Sequence, residues 1–309
     1  MAEKYDILVA GEINPDLILS GDVEPAFGQA EKIVEAATLT VGSSSVIFAC
    51  GAARLGLRVG FIGKCGDDFF GRFMLEEMQR RGVDVSPVMI DPRLSTGLTV
   101  ILNRGEDRAM LTFPGAIGAL RADEVSDDLL RRARHLHVAS YFLQDALRPG
   151  LPELFRRARA LGLTTSLDTN YDPAERWEGV ADLLPLTDVF LPNAAEARAL
   201  TGEAEVEAAA RALAKAARIV AVKLGAAGAM AVQGEQVVYV PSIPVKVVDT
   251  VGAGDNFDAG FLYGFLMGWP LERALRLGTV CGALSTRAAG GVAGQPTLEE
   301  AMPYLEEPQ

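Results

Sequence analysis

Short apolar runs rich in β-branched residues alternate with helix-like stretches along the chain, and this alternation limits the fold more than any other feature. The apolar runs cover residues 7–10, 59–63, 135–139, 164–168, 189–191 and 219–224. Helix-like segments such as 71–81 and 205–217 separate them. Strands that alternate with helices form a parallel sheet covered by helices on both faces. We therefore predict an α/β fold with a mostly parallel central sheet.

Two segments, at about 13–40 and 93–115, interrupt this alternation. They contain strand-like runs without crossover helices, and the runs 98–102 and 108–112 are joined by the turn Gly105-Glu106-Asp107. The whole chain has 309 residues, 49% of them hydrophobic, and no linker divides it. That length suffices for one large core. The sequence predicts a single domain over residues 1–309, with a discontinuous small sheet formed by the two segments.

The most specific motif is Asp249-Thr250-Val251-Gly252-Ala253-Gly254-Asp255, which opens an apolar helix that we expect to reach about Met267. Glycines allow consecutive N–H groups to point at an anion, and the helix start adds its positive dipole end. An aspartate at such a site repels phosphate. Asp255 therefore suggests a base that takes a proton from an attacking hydroxyl. Aspartate is also a preferred helix cap, so that interpretation stays open.

Two other glycine motifs do not fit this turn. A P-loop requires Lys and then Ser or Thr where Asp255 and Asn256 stand. A dinucleotide fingerprint requires a third small residue where Phe257 stands, and it requires an acidic residue after a second strand. These mismatches disfavour an NAD-dependent oxidoreductase.

Polar residues follow other predicted strands, at the edge where a parallel sheet binds its ligands. Asn14 and Asp16 follow the first strand, although Asn and Asp also cap ordinary turns. Asp168 and Asn170 end a middle strand. Asn193-Ala194-Ala195-Glu196 places an amide and a carboxylate one helical turn apart, a spacing that also forms a capping box. The run Lys223-Leu224-Gly225-Ala226-Ala227-Gly228 ends a further strand with paired glycines.

These motifs, in this order, resemble those of the ribokinase-like (PfkB) carbohydrate kinase family along essentially the whole chain. The resemblance implies a ribokinase-like three-layer sandwich in which the small β-sheet forms a lid over the acceptor. It also implies transfer of the γ-phosphoryl group of ATP to a hydroxyl, with Asp255 as general base. The N–H groups of Gly252, Ala253 and Gly254 would face the charge on the transferred phosphoryl group.

The resemblance also implies the binding residues. Asn193 and Glu196 would organise Mg²⁺, Glu196 through water, and Asp249 would help to bind a potassium-like ion. The nucleotide would be held by Asn193, Glu196, Lys223, Gly225, Gly228, Thr250, Gly252 and Gly254. The acceptor would be held by Asn14, Asp16, Gly42, Ser43 and Asp255.

The chain departs from the family pattern on the acceptor side. Ser43 stands where the family usually has a second glycine, and Ile47 stands where it has an asparagine. Many relatives carry an arginine where Asp172 stands, and the segments 14–16 and 42–46 contain no lysine or arginine. A site for a phosphorylated acceptor would use basic residues. We therefore expect a free sugar or sugar-like compound rather than a sugar phosphate.

Two further functions remain compatible with the sequence. A nucleoside kinase of the same fold would need an apolar wall for a base, which Ile47, Phe48, Tyr141 and Phe142 would offer. A non-catalytic sugar- or nucleotide-binding regulator is the alternative of another class, and the intact residues Asp255, Asn193 and Glu196 argue against it.

Charge and composition restrict the partners and the compartment. The net charge of −12 and the pI near 4.8 disfavour nucleic acid and acidic membrane surfaces. The three cysteines are far apart, which fits reduced thiols, and the polar segment 1–6 resembles neither a signal peptide nor an anchor. We expect a cytoplasmic protein. An edge of the lid sheet can pair with a second copy, so we also expect a homodimer.

Overall fold

The computed structural model describes residues 5–104 and 107–306. The strands are β1 (Ile7–Ala10), β2 (Pro15–Ser20), β3 (Ala36–Val41), β4 (Val59–Ile62), β5 (Lys64–Cys65), β6 (Met89–Ile90), β7 (Leu98–Arg104), β8 (Asp107–Phe113), β9 (His135–Val138), β10 (Thr164–Leu167), β11 (Val189–Phe190), β12 (Ile219–Lys223), β13 (Ala229–Gln233) and β14 (Gln236–Val240). The helices are α1 (Ser44–Arg54), α2 (Phe69–Arg80), α3 (Asp127–Leu130), α4 (Leu151–Ala160), α5 (Ala194–Thr201), α6 (Val206–Leu213), α7 (Ala253–Leu266), α8 (Leu271–Ser285), α9 (Leu298–Ala301) and α10 (Pro303–Glu306).

The main sheet has eight strands in the order β14-β13-β12-β11-β10-β9-β1-β4. The six strands from β12 to β4 run parallel. Each corresponds to one of the apolar runs, so the predicted mostly parallel sheet is confirmed. Two strands not predicted from the sequence, β13 and β14, extend the sheet in antiparallel pairs.

Helices cover both faces of this sheet and complete the three predicted layers. Successive side chains of a strand point to opposite faces. In β1, accordingly, Ile7 and Val9 belong to the core under α1, α2, α7 and α8, whereas Leu8 and Ala10 belong to the core under α4, α5 and α6. The carboxyl ends of the parallel strands therefore open onto one edge between the two helical layers.

A second sheet has four strands in the order β3-β2-β7-β8. Both segments predicted to interrupt the alternation contribute to it, although Gly105 and Glu106 of the predicted turn lie outside the described residues. Four residues connect β1 to its strand β2, and Asp16 is opposite Thr40 and Thr99. The short connection places the start of the small sheet beside the carboxyl end of β1.

No helix in the described part of the chain is both long and apolar enough to cross a membrane. The three cysteines are free and buried, as expected for reduced structural thiols.

Helix α7 packs unusually close to α8 because glycine occurs at their contact. A Cβ on Gly260 would lie 2.8 Å from the carbonyl oxygen of Leu277 and 2.9 Å from both Cys281 Sγ and Gly278 Cα. These contacts include backbone atoms, which cannot turn away as a flexible side chain can. The close approach holds α7, which carries Asp255 in its first turn, against α8.

We predict that Gly260→Ala destabilises the protein. Helix propensity alone would stabilise the variant by about 1 kcal/mol, but overpacking a filled contact costs about 1–3 kcal/mol. Urea unfolding should therefore show a lower midpoint with an unchanged slope. A higher midpoint would mean that α7 and α8 are free to separate.

Candidate active site

The glycine turn before α7 is held to the C-terminal return of the chain. Gly252 has φ +72°, and a Cβ there would lie 2.7 Å from Gly291 Cα. Asn256 Nδ2 donates to the carbonyl oxygens of Gly252 at 2.8 Å and Gly291 at 2.9 Å. Asp249 accepts from the N–H groups of Val251 at 3.0 Å and Gly290 at 2.9 Å. The turn thus has one fixed shape, which only glycine permits at position 252.

The first N–H groups of a helix have no intrahelical partner, and at α7 they belong to the turn. One predicted donor is already engaged, because the N–H of Ala253 donates to the carbonyl oxygen of Thr250 at 3.2 Å. Gly254 lies beside Lys223, whose Nζ would be 3.6 Å from a Cβ at that position. An anion at this turn would therefore face the positive end of a helix and a nearby ammonium group.

Lys223 lies in a buried group of carboxylates. Its Nζ is 3.0 Å from Asp168 Oδ2 and 3.1 Å from Asp258 Oδ2, and both aspartate side chains are only 1% exposed. A carboxylate oxygen of Asp255 lies within 4.8 Å of oxygens of these two aspartates. The three carboxylates meet at one point, as a metal site would require, but the lysine ammonium already neutralises part of their charge.

The charges in this group shift one another's pKa. Burial would lower the pKa of Lys223, but Asp168 and Asp258 raise it above its usual value. Burial also opposes ionisation of Asp168, yet Lys223 holds the pKa of that carboxyl below its usual range. For Asp255, burial and the charge of Asp168 raise the pKa well above its usual value, while Lys223 acts in the opposite direction. Asp255 is thus a carboxyl with raised affinity for a proton, as a general base requires.

Asn193 and Glu196 form a capping box at the start of α5. Glu196 N–H donates to Asn193 Oδ1 at 2.9 Å, Asn193 N–H donates to Glu196 Oε2 at 2.9 Å, and Asn193 Nδ2 donates to Glu196 Oε1 at 2.6 Å. The box lies next to Lys223, whose N–H donates to the carbonyl oxygen of Pro192. Burial and the charge of Asp168 raise the pKa of Glu196 to about 7. Because these side chains already bind each other, a metal ion here would be reached through water.

The structure also brings the predicted acceptor residues together. A Cβ on Gly42 would lie 2.2 Å from Asp16 Oδ1, and Asn14 Nδ2 lies 3.4 Å from the same oxygen. Burial raises the pKa of Asp16 to about 7, and the charge of Arg108 on β8 opposes this rise. Ser43 has a different environment, because its hydroxyl donates to Glu12 and accepts from the N–H of Val46 as the cap of α1.

A cavity of about 630 Å³ lies on the other side of the glycine turn. Several predicted nucleotide residues line it, namely Lys223, Gly225, Gly228, Thr250 and Gly254. Apolar side chains, including Ile243, Val245, Val247 and Phe257, form much of the remaining wall. Asn193, Glu196 and Gly252 lie outside this lining. An apolar wall beside an anion-binding turn suits a flat ring that carries phosphates.

The side chains considered as a wall for a nucleoside base lie mostly in the core. Ile47 is 3% exposed and lies under Gly252 and Gly291. Phe48 stacks on His137 with ring centroids 3.9 Å apart, and Tyr141 and Phe142 are each 4% exposed. These side chains belong to the two cores. Phe142 also lines a second cavity, of about 270 Å³.

Sequence reasoning missed three polar residues near Asp255. Asp258 stands three positions along α7, a spacing that puts it on the same helical face. Glu12 lies two positions after the buried strand β1 and is 2% exposed. An acidic residue just after a strand of a parallel sheet lies at the edge where such sheets bind ligands. Ser44 has no signal in the sequence, because its side-chain direction depends on how α1 packs against α7.

Comparison with known proteins identifies the family of the chain. Residues 6–298 match the sequence model for pfkB family carbohydrate kinases. The chain is 36% identical over 271 residues to the 2-dehydro-3-deoxygluconokinase of Bacillus subtilis, covering 83% of this chain and 84% of that protein. It is also 36% identical over 250 residues to an uncharacterized sugar kinase of Archaeoglobus fulgidus, covering 80% of this chain and 98% of that protein.

Among solved structures, the ribokinase of Arabidopsis thaliana, in complex with ribose and ATP, superposes with a TM-score of 0.87 at 23% identity over all of both chains. The chain therefore has the ribokinase fold. It belongs to the PfkB family of carbohydrate kinases.

We predict that Lys223→Met destabilises the protein strongly, because Asp168 and Asp258 would lose their counter-charge in the core. Removing one partner of a buried ion pair costs about 3–5 kcal/mol. Without the lysine, the pKa of Asp168 loses the charge that holds it below its usual range, and the pKa of Asp258, already well above its usual value, rises further. The loss of stability should therefore be larger at pH 8 than at pH 5, where protonation relieves it.

Urea unfolding at the two pH values measures this loss. The matched control is Lys215→Met, which removes an exposed lysine and should change stability by no more than about 0.5 kcal/mol. Equal losses for Lys223→Met at both pH values would show that the carboxylates do not depend on the ammonium.

Proposed function

We propose that this carbohydrate kinase transfers the γ-phosphoryl group of ATP to a hydroxyl of a small, non-phosphorylated sugar or sugar-like compound, with Asp255 as general base. The position of Asp255 carries this proposal. It directly follows Gly254 in the wall of the 630 Å³ cavity. Its other side faces the start of α1, which follows Gly42 and the adjacent Asp16. A base at this junction can reach a hydroxyl that points at a terminal phosphate.

The proposed reaction is an in-line displacement. As the acceptor oxygen attacks the γ-phosphorus, its proton passes to a carboxylate oxygen of Asp255, and the bond from the γ-phosphorus to the bridging oxygen breaks to release ADP. The N-terminal end of α7 faces the negative charge on the transferred group. The raised pKa of Asp255 makes the carboxylate a better proton acceptor than an exposed aspartate.

The nucleotide and its metal ion fit the donors on the other side of the turn. We place the adenine side against the apolar wall and the phosphates near Gly254 and Lys223. Mg²⁺ would be held through water by Asn193 and Glu196, and it would neutralise phosphate charge. The Asp249 carboxylate, which already joins the two ends of the turn, is the proposed anchor for a potassium-like ion.

The acceptor site is lined by groups that bind hydroxyls. Asn14 and Asp16 provide an amide and a carboxyl at the base of the small sheet, and Gly42 allows close approach. The oxygens of Asp172 already accept from the N–H groups of Ala174, Arg176 and Trp177. Arg108 approaches Asp16 from the small sheet, a cation that the local sequence did not show. Sugar acids therefore belong among the acceptors to be tested.

We predict that Asp255→Asn lowers kcat by about 10²- to 10⁴-fold, the range for loss of a general base, while ATP binding remains close to wild type. The acceptor is first identified by ADP release with ATP and Mg²⁺ over ketoses, pentoses, sugar acids, polyols and nucleosides, with and without potassium. Turnover of the variant and its Kd for ATP are then compared with wild type.

Near-normal turnover of Asp255→Asn would refute the assignment of the base. A preference for nucleosides would favour the nucleoside kinase alternative. ATP binding without turnover on every acceptor would favour a non-catalytic regulator.

We also propose that the small sheet serves as a lid and joins two copies of the chain. Its strand β8 is an edge strand, whose unpaired N–H and C=O groups can pair with another strand. Leu111 is 60% exposed and Phe113 is 54% exposed on this strand. Exposed apolar side chains beside an open edge suit a second copy of the same sheet.

We predict a homodimer in solution that Leu111→Lys weakens by at least tenfold in dissociation constant, because each copy would bring a lysine to the interface. Sedimentation equilibrium measures the change. The matched control is Met267→Lys, which charges a residue that is 41% exposed and follows the C-terminal end of α7. A monomeric wild-type protein, or equal weakening by both variants, would contradict the proposed interface.

A further inference from the structure

The second cavity, of about 270 Å³, shares no lining residue with the nucleotide cavity. Its wall is formed by three parts of the chain. Thr112 comes from the end of β8, Phe142 and Arg148 from the segment after β9, and Asp172 from the loop after β10. The proposed reaction leaves this cavity without a role.

Thr112 connects the second cavity to the predicted acceptor residues. Its Oγ1 lies 3.1 Å from Thr99 Oγ1, which in turn lies 3.5 Å from Asn14 Nδ2. Asp16, Thr99 and Thr112 are opposite one another in three neighbouring strands of the small sheet, so their side chains share one face. Two strand spacings, about 10 Å, separate the first of these residues from the last. The cavity therefore lies at the far end of a polar row that begins at Asp16.

The loop after β10 connects another wall of the cavity to the same site. Asn170 stands two residues before Asp172, and its Nδ2 lies 2.7 Å from Ser44 Oγ and 2.9 Å from Ser140 Oγ. Ser44 is the first residue of α1, two positions after Gly42, and Ser140 stands in the segment after β9. The cavity wall and the acceptor residues are thus held to each other from two directions.

Arg148 is a largely buried cation in this wall. Its side chain is 26% exposed, and its Cζ lies 5.0 Å from the ring centroid of Tyr141 and 5.6 Å from that of Phe142. Asp145 Oδ1 is 3.8 Å from its Nη1, which is beyond hydrogen-bond distance, and the Asp145 side chain is 86% exposed. Within the described residues, the guanidinium forms no hydrogen bond. The rings hold it in place and leave its five donors to a molecule in the cavity.

The charges around the cavity indicate which ligand group suits Arg148. A guanidinium fork matches two oxygens of a carboxylate or of a phosphate. Asp145, Asp172 and Glu178 also line the cavity, together with the exposed Arg176. Solvent screens the exposed Asp145 and Glu178, and Asp172 accepts three backbone N–H groups. Because acidic residues outnumber basic ones here, a group with one negative charge fits better than a doubly charged phosphate.

We propose that this cavity is a subsite for a carboxylate of the acceptor, and that Arg148 binds this carboxylate. The acceptor is then a sugar acid whose hydroxyls lie along Asp16, Thr99 and Thr112. Its carboxylate occupies the cavity, and the hydroxyl to be phosphorylated lies at the other end, at Asp255. This inference rests on the proposed kinase reaction and narrows its substrate class.

The test pairs each sugar acid with the neutral compound in which CH₂OH replaces the carboxylate, for instance gluconate with glucitol. Wild-type protein should show the higher kcat/KM for the acid. Arg148→Met should lower kcat/KM for the acid by about 10- to 100-fold, mainly through KM, which is the range for a hydrogen bond to a charged group. The value for the neutral compound and KM for ATP should stay as in wild type, because neither ligand contacts the guanidinium.

Two further variants complete the design. Arg148→Lys keeps the charge but loses the planar fork, so its loss for the acid should lie between wild type and Arg148→Met. This variant tests the proposal if Arg148→Met does not fold. The matched control is Arg273→Met on α8, which removes a guanidinium that also lies over a ring, 4.3 Å from the centroid of Trp269, and lines neither cavity. It should leave both compounds unaffected.

Calorimetric titration of the free protein measures binding without turnover, and Arg148→Met should weaken binding of the acid alone. Equal losses for the acid and the neutral compound would make Arg148 a structural residue and overturn the subsite. A wild-type protein that binds the neutral compounds at least as well as the acids, or glucose 6-phosphate better than either, would also overturn it.

A loss confined to Arg108→Met would place the carboxylate at the small sheet and contradict the role of Arg148. Normal turnover of Asp255→Asn would instead refute the proposed base and leave the binding result intact.

Discussion

The buried ion pairs of Lys223 with Asp168 and Asp258 are the constraint on which the rest of the site depends. Asp168 follows β10, Lys223 ends β12 and Asp258 lies on α7, so these contacts join the main sheet to the helix that carries Asp255. Charges this deeply buried are stable only when they are paired. Moving any of the three elements would leave a charge uncompensated, so the cluster fixes the position of α7 relative to the sheet.

This cluster also explains how an acidic protein can bind an acidic nucleotide. The net charge of −12 repels phosphate at long range, yet screening confines that repulsion to roughly 10 Å at physiological salt. At the turn, the local field is set by the start of α7 and by Lys223 beside Gly254. Most carboxylates near the turn either pair with the lysine or accept protein hydrogen bonds. The cavity is therefore less negative than the composition suggests.

The residues around Asp255 differ in kind between its cavity side and its acceptor side. On the cavity side, a rigid glycine turn and an apolar wall define a shape suited to a nucleotide. On the acceptor side, hydrogen-bonding side chains from β1, β10 and α1 form a connected network that ends at Ser44. A connected network keeps each donor pointing in one direction, which a single hydroxyl in water would not do.

The sequence alone determined the layered α/β fold and the order of its motifs, because strand and helix periodicities and glycine turns are local properties of the chain. It also singled out Asp255, Asp16 and the Asn193–Glu196 pair, since each follows a predicted strand or opens a helix. Only the tertiary structure decided what these residues contact: Lys223 bonds to buried aspartates, Ile47 and Phe48 lie in the core, and Asn170 bonds to Ser44. Some of these contacts join residues far apart in the chain, as Asn170 and Ser44 are at 126 positions, and no local pattern encodes the packing that brings them together.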